Sequence, residues 1–436
     1  MKHHIRKSKR RLFSPKAWKI RLVFWAGAIV VGLVCVLFAE LAEYANHLFL
    51  SLSQKNAYLP LVLTPLAMVA IVWLTKNLFP GAEGSGIPQT IASLKIADKP
   101  MILSLRIAVG KIMLTVAGLA SGASIGREGP SVHVGASIMF ALGRIVRFPP
   151  HYMERGLILA GGAAGVAAAF NTPLAGIVFA IEEMSRSFEQ RISGIVTTGV
   201  VLAGITAIAV IGPYHYFGQS DASMPSLSLA WLAIPLCGIT GGLLGGLFSQ
   251  LLISSSKKIF PIALVKPLLV AFLVGIVIAI INFVSDYQAS GTGYNEAQLI
   301  INQTSAFNPW YPLEKFAATL ASYLTGIPGG IFAPSLATGA GIGANLGQWL
   351  PIAPVSVMIM LGMVAYFAGV VQSPLTAFII VMEMTDNQDM ILALMSTAFI
   401  AHGTAHLVCP RPLYSALSDA FVNRSKKDSS NENEPK

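Results

Sequence analysis

At Gly126-Arg127-Glu128-Gly129-Pro130 an ionised pair sits inside a glycine turn, in a chain that otherwise keeps charge out of its apolar stretches. Pro130 suits the first position of a helix, where its missing N–H costs nothing and its fixed φ fits the turn. Glycines let several backbone N–H groups converge on one point. At the positive end of a helix dipole such a point attracts anions. A carboxylate placed there by the protein itself, Glu128, is a tethered anion able to compete with a free one. When ionised it occupies the anion position; when protonated it loses that attraction and swings out. Anion and proton occupancy are then linked, because each biases the same two-state side chain.

Three more glycine- and proline-bearing turns carry compatible chemistry. Gly84-Ser85-Gly86-Ile87-Pro88 offers the Ser85 hydroxyl among flexible glycines before a helix opening on proline. Gly329-Gly330-Ile331-Phe332-Ala333-Pro334 offers backbone N–H groups and no carboxylate, and Pro412-Leu413-Tyr414-Ser415 puts a phenol near the start of the last helix. A permeating anion needs donors without full positive charge, or it would bind too tightly to leave. Taken singly, each turn is an ordinary helix start; four together in a membrane protein are far more specific.

These turns must be positioned by helices in a bilayer. Of 436 residues, 54% are hydrophobic and 11% charged, with a mean hydropathy of +0.66. Soluble domains carry about a quarter charged residues. Leu22–Ala39 (18 residues) and Ala57–Thr75 (19 residues) are uncharged and each long enough to cross, given a hydrocarbon core of roughly 30 Å and about 1.5 Å per helical residue. Ile192–Ser220, Ala222–Ser256 and Pro267–Val284 are further uncharged stretches, and Phe316–Met382 runs 67 residues without Asp, Glu, Lys or Arg. That last stretch holds Pro328, Pro334, Pro351, Pro354 and Pro374, so it cannot be a set of unbroken spans. The fold class is an all-α polytopic membrane protein of many tilted, partly broken helices.

The net charge of +10 does not point to nucleic acid, because of where it lies. Residues 1–21 hold nine Lys or Arg and no acid, directly before the first apolar run. This is the positive-inside signal for a cytoplasmic N-terminus lying against anionic lipid. Ala39-Glu40-Leu41-Ala42-Glu43 is a poor signal-peptide cleavage site, and no cleavage is expected. Residues 419–436 read as a short cytoplasmic tail, with 425–436 disordered.

The chain also repeats itself. Pro130-Ser131-Val132-His133-Val134-Gly135-Ala136 matches Pro334-Ser335-Leu336-Ala337-Thr338-Gly339-Ala340 at an offset of 334 − 130 = 204. Asn171-Thr172-Pro173-Leu174, reaching Glu182, matches Gln372-Ser373-Pro374-Leu375, reaching Glu383, at 374 − 173 = 201. The reading is a first membrane repeat over 22–216, a linker at 217–227 and a second repeat over 228–418. Repeats whose apolar segments are interrupted at matching places mark secondary transporters, with the site at the repeat interface.

With these motifs in hand, the sequence resembles the CLC family of chloride channels and chloride/proton exchangers. The match to G-S-G-I-P, G-R-E-G-P, G-I-F-A-P and the late P-L-Y is complete, in order, and covers almost the whole membrane region. The resemblance implies a homodimer with one pathway per subunit, each subunit built from two inverted repeats. It implies that Ser85 and Tyr414 donate hydroxyls to a central anion, and that the N–H groups of Ile331 and Phe332 complete that site. Glu128 is implied as the external gating glutamate, with Gly126–Gly129 forming an outer anion site. Glu183, 55 residues after Glu128, falls at the exchangers' internal proton-transfer glutamate. Many family channels carry a non-acidic residue there. Exchange of chloride for protons is therefore the preferred reading, with a passive chloride channel as the alternative. Serine at 85 resembles chloride-preferring members; bromide and nitrate are expected to pass as well, and fluoride is disfavoured. The paired nucleotide-sensing domains of many eukaryotic members have no counterpart in the 22 residues after Tyr414, which suggests a prokaryotic type in a bacterial inner membrane.

The remaining residues with chemical potential read more plainly. Glu182 and Glu383 occupy equivalent repeat positions, which favours a structural role for Glu182. His402 and His406 have i, i+4 spacing but lack the Glu of H-E-x-x-H, and Gly403 weakens that helix, so no metal site is expected. Cys35, Cys237 and Cys409 are scattered and read as small buried apolar residues rather than a disulfide or zinc framework. His133 reads as packing. Lys111 matches a family lysine and is expected to raise the potential near the anion path. A membrane-embedded enzyme using Glu128 or Glu182/Glu183 is a remote alternative, because no nucleophile elbow, metal set or nucleotide loop accompanies them. No cofactor is expected.

Overall fold

A computed structural model describes residues 15–96, 102–145, 152–185, 190–212, 216–225, 228–302 and 308–432. Among these residues the chain forms seventeen α-helices and no named strand. In order they are α1 (Pro15–Lys55), α2 (Leu59–Asn77), α3 (Ile87–Ser93), α4 (Leu105–Leu119), α5 (Glu128–Ile145), α6 (Tyr152–Phe170), α7 (Pro173–Phe179), α8 (Gln190–Ile211) and α9 (Ala233–Val265). They continue as α10 (Pro267–Val284), α11 (Tyr294–Ile301), α12 (Tyr311–Leu324), α13 (Phe332–Trp349), α14 (Val355–Val371), α15 (Pro374–Met384), α16 (Ile391–Val408) and α17 (Leu413–Glu432). A π-helical turn, Ala180–Ser185, follows α7 directly.

Five of the helices are long and apolar enough to cross a bilayer, and the protein is an integral membrane protein. α9 has 33 residues, which at about 1.5 Å each exceeds a hydrocarbon core of roughly 30 Å, so it must tilt or project. Others stop short: α3 and α7 have seven residues each. Apolarity does not decide which helices face lipid. α10 is apolar all round and mostly exposed at its surface, whereas Val357 to Val371 of α14, equally apolar, are all buried. α14 is surrounded because it lies between α13, α9 and α16.

The helices of the two halves correspond in order. α5 and α13 both have 18 residues, and their ends are offset by 332 − 128 = 349 − 145 = 204. Gly126 and Gly330, separated by the same 204, pair with each other: each N–H donates to the other's carbonyl at 2.7 Å. Equivalent residues bonding reciprocally and antiparallel is the local signature of a two-fold relation, so the repeats are inverted. A second reciprocal contact lies elsewhere on this relation. Glu383 accepts from the N–H groups of Leu174 (3.1 Å) and Ala175 (2.8 Å) at the start of α7. Glu182 accepts from those of Leu375 (3.1 Å) and Thr376 (2.7 Å) at the start of α15. Each carboxylate thus caps the opposite repeat's helix, satisfying N–H groups that have no intrahelical acceptor.

Small residues allow the central helices to approach. A Cβ at Gly362 of α14 would stand 2.5 Å from the carbonyl oxygen of Gly339 in α13. The equivalent residues Gly161 and Gly135 make the same close approach between α6 and α5. In lipid, where apolar burial drives association weakly, such backbone-to-backbone packing holds helices together.

Two expectations are corrected. α5 opens at Glu128 rather than at Pro130, and α13 opens at Phe332, so each proline stands third in its helix. The first-turn N–H groups have no intrahelical acceptor, and proline is tolerated there as well as at the first position. The tail expected to be disordered from 425 instead continues α17 to Glu432, because extending a docked helix avoids a new nucleation step. Most of the basic segment 1–21 and the last four residues lie outside the described residues.

Candidate anion and proton site

Backbone pairing brings three of the four turns together. Gly84 N–H donates to Ile327 O and Gly329 N–H to Gly84 O, both at 3.2 Å, and the next residue, Gly330, pairs with Gly126. The left-handed φ values of Gly84 (66°) and Gly86 (97°) shape the first turn, where side chains other than glycine's would be strained. Tyr414, second residue of α17, packs its ring 5.7 Å from that of Phe332 and so brings in the fourth turn.

The donors predicted from sequence converge. A Cβ at Gly129 would meet Ser85 Oγ and stand 3.4 Å from Gly330 Cα, so the Ser85 hydroxyl lies against Gly129 where that turn faces Gly330. Ser85 and Tyr414 are fully buried and within electrostatic reach of each other. Neither hydroxyl has a hydrogen-bond partner. Orphaned buried hydroxyls are costly and call for a ligand or water. Ile331 caps α13, and Ser335 N–H makes the first intrahelical bond there, to Ile331 O at 3.0 Å. The N–H groups of Phe332 and Ala333 precede that bond and carry the positive end of the helix dipole.

Glu128 is also fully buried. A Cβ at Gly126 would meet Glu128 Oε2, with Ala333 N 3.4 Å from the same point. The carboxylate therefore folds back over its own turn, beside the first turn of α13. Its Oε2 has no hydrogen-bond partner, while Oε1 accepts from the Tyr294 hydroxyl at 2.7 Å. Arg127 is not its chief partner: Arg127 Nε is 4.0 Å from Oε1, and the guanidinium donates to Ala39 O and to the Tyr216 hydroxyl.

Glu183 lies in the π-helical turn, a backbone irregularity frequent at functional sites. It is buried and accepts from the Ser373 hydroxyl. Tyr414 is within electrostatic reach of both Glu183 and Glu128. Glu182, its neighbour in sequence, is committed to capping α15.

The turn at 84–88 is strapped from outside. Lys111, buried in α4, donates to Glu83 O (3.2 Å) and Gly84 O (3.0 Å), while Gln89 accepts from Gly86 N–H at 3.0 Å and donates to Glu83 O. Lys315 of α12 repeats the device at 315 − 111 = 204, donating to Ala289 O (3.0 Å), Ser290 O (2.8 Å) and Gly291 O (2.9 Å). Lys111 is thus a structural strap beside the expected potential.

The family model described as voltage-gated chloride channel matches residues 66–406. The chain belongs to this family. The H(+)/Cl(−) exchange transporter ClcA of Citrobacter koseri is 28% identical over 430 residues, covering 94% of this chain and 90% of that protein. ClcA of Salmonella paratyphi A is 29% identical over 432 residues with the same coverage. Among solved structures, a slow cyanobacterial Cl−/H+ antiporter superposes with a TM-score of 0.80 at 27% identity, covering 93% of this chain and 99% of that one. A CLC-type fluoride/proton antiporter superposes at 0.78 over 90% and 96%, but at 21% identity that likeness speaks for the CLC fold alone.

Within this CLC framework the sequence-derived set, Ser85, Glu128, Ile331, Phe332 and Tyr414, gathers in one place, with Glu183 within electrostatic reach of Tyr414. Sequence reasoning missed Tyr294 and Lys315. The spacing 315 − 111 = 204, equal to that of the matched prolines, is a signal that finds Lys315. The paired glycines Gly291 (φ 64°) and Gly293 (φ 81°), answering Gly84 and Gly86, are a second. His402 and His406 have ring centroids 6.3 Å apart. Among the described residues no group of three metal-ligating side chains occurs.

Proposed function

We propose that the protein is a chloride/proton antiporter, moving chloride and similar monovalent anions in exchange for protons. The observation that carries this reading is one cluster: a buried carboxylate with an unpartnered oxygen beside a helix N-terminus, next to two buried hydroxyls that have no partner. Ionised Glu128 competes for the same amide groups as an anion. Chloride binding expels it, and protonation neutralises it so that it leaves. Because both ligands act on one side chain, their movements are coupled and opposed. Ser85 and Tyr414 donate their hydroxyls to the central anion, joined by the N–H groups of Ile331 and Phe332, and the turn from Gly126 to Gly129 forms the outer position. Glu183 takes the proton on its separate route to the other side. A transporter of this kind needs no cofactor and makes or breaks no covalent bond in its cargo.

The N-terminus and α17 are assigned to the cytoplasm of a bacterial inner membrane, with repeats 22–216 and 228–418 joined by 217–227. A second copy of the chain is the partner, each copy keeping its own pathway. The face around the reciprocal caps supports this: Leu174 and Leu375 are exposed there, and Leu392 and His406 are exposed on one side of α16. A histidine facing hydrocarbon is costly, and a partner surface would relieve it.

The test is purified protein in liposomes with an imposed chloride gradient and an internal pH probe. Uphill proton movement driven by chloride is the expected result. Chloride flux without it makes the protein a passive channel, and no ion flux at all removes transport.

A further inference from the structure

The Glu128 carboxylate is gripped from the side opposite the amide groups by a residue that anion–proton competition does not require. Tyr294, the first residue of α11, donates to Glu128 Oε1 at 2.7 Å. Its ring is fixed: it stacks on Tyr216 at 4.9 Å and 19°, and tilts against Phe217 at 5.5 Å. The Arg127 guanidinium lies over both tyrosine rings, 4.9 Å from Tyr216 and 5.7 Å from Tyr294. Arg127, Tyr216 and Tyr294 also line a cleft of about 410 Å³ that has Glu40 and Glu43 on its wall. Tyr294 therefore stands between that cleft and the carboxylate.

The repeat supplies independent support. Gly293 caps α11 as Gly86 caps α3, both with left-handed φ. The residue after the cap is Ile87 in one repeat and Tyr294 in the other. Symmetry is broken by a hydroxyl at the one place where it meets the gate.

We propose that Tyr294 is a positioning residue that latches the ionised Glu128 in its anion-excluding position and so sets the acidity at which the pathway opens. This rests on the reading of Glu128 as the gate. A phenol donates strongly to a carboxylate and weakly to a neutral carboxyl. The latch holds while Glu128 is charged and releases on protonation. The other charged or titratable groups around this point are Arg127 beside it, Tyr216 under the Tyr294 ring, Glu40 and Glu43 of α1 on the wall of the same cleft, Cys35 of α1 near Arg127, and Tyr414 of α17.

Tyr294→Phe removes one oxygen and keeps the stack. In liposomes, its chloride exchange at pH 7.5 should exceed that of the unaltered protein by about tenfold, the scale of a hydrogen bond to a charged group. At pH 4.5 the gap between the two should narrow, because protonation of the carboxylate releases the latch. Isothermal titration at pH 7.5 should show tighter chloride binding, since the tethered competitor is held less firmly. Glu128→Ala and Glu128→Ala/Tyr294→Phe should transport alike. The proposal is overturned if Tyr294→Phe follows the parent at both pH values, if it alters flux equally at both, or if it alters flux in the Glu128→Ala background. The gate reading fails separately, if Glu128→Ala itself keeps proton coupling.

Discussion

Glu128 and Glu183 differ in what surrounds them, and that difference predicts how each fails. Glu128 has one oxygen on Tyr294 and the other unpartnered near Ala333 N, so its replacement leaves the amide groups open to anions. Glu128→Ala should keep chloride flux running, flatten its pH dependence and reduce proton movement to background, read in liposomes with paired chloride and pH electrodes. Glu183 accepts from Ser373. Glu183→Gln keeps that acceptor and nearly the same volume but cannot titrate. Proton flux should fall by about tenfold or more, the lower range of what a positioned proton-transfer group contributes, while chloride binding measured by calorimetry stays near the parent value. Collapse of chloride affinity instead would make Glu183 a structural residue.

At the scale of helices, the close glycine contacts carry a sharper claim than apolar burial does. A Cβ at Gly362 would meet Gly339 O at 2.5 Å and Gly343 Cα at 2.6 Å, both backbone atoms that cannot swing away. Gly362→Ala should cost about 1–3 kcal/mol through overpacking, only partly offset by alanine's helix preference of up to about 1 kcal/mol. Gly403 has nothing within 4 Å. Gly403→Ala should therefore hold or raise the thermal unfolding midpoint in detergent, and Gly362→Ala should lower it. Which of these features a sequence reveals depends on range. Helix stops at Gly84–Pro88, Gly126–Pro130 and Gly329–Pro334 were legible because backbone freedom and the missing proline N–H are local properties. Glu182 was legible as structural through its repeat partner. Tyr294 was not, since its contact with Glu128 spans 166 residues and an aromatic after a glycine looks like packing. The π-helical turn that carries Glu183 has no composition cue, and α14 could not be told from α10 because both are apolar on every side.

Reciprocal ties link the two repeats across their two-fold relation, between Gly126 and Gly330 and through the crossed caps of Glu182 and Glu383. Transporters that rock one repeat against the other must break such ties in each cycle. Here the candidate moving part is one side chain, and the ties can persist. That has a testable consequence. Leu174→Cys/Glu383→Cys places thiols where Glu383 now meets the Leu174 N–H, so a short bifunctional thiol reagent joins the repeats covalently. Cys35, Cys237 and Cys409 are buried and should react little. Compared with the same variant left unlinked, the linked protein should keep most of its chloride-driven proton movement. A linked protein that binds chloride but no longer exchanges it would show that the repeats must part, and that a moving carboxyl alone does not open the path.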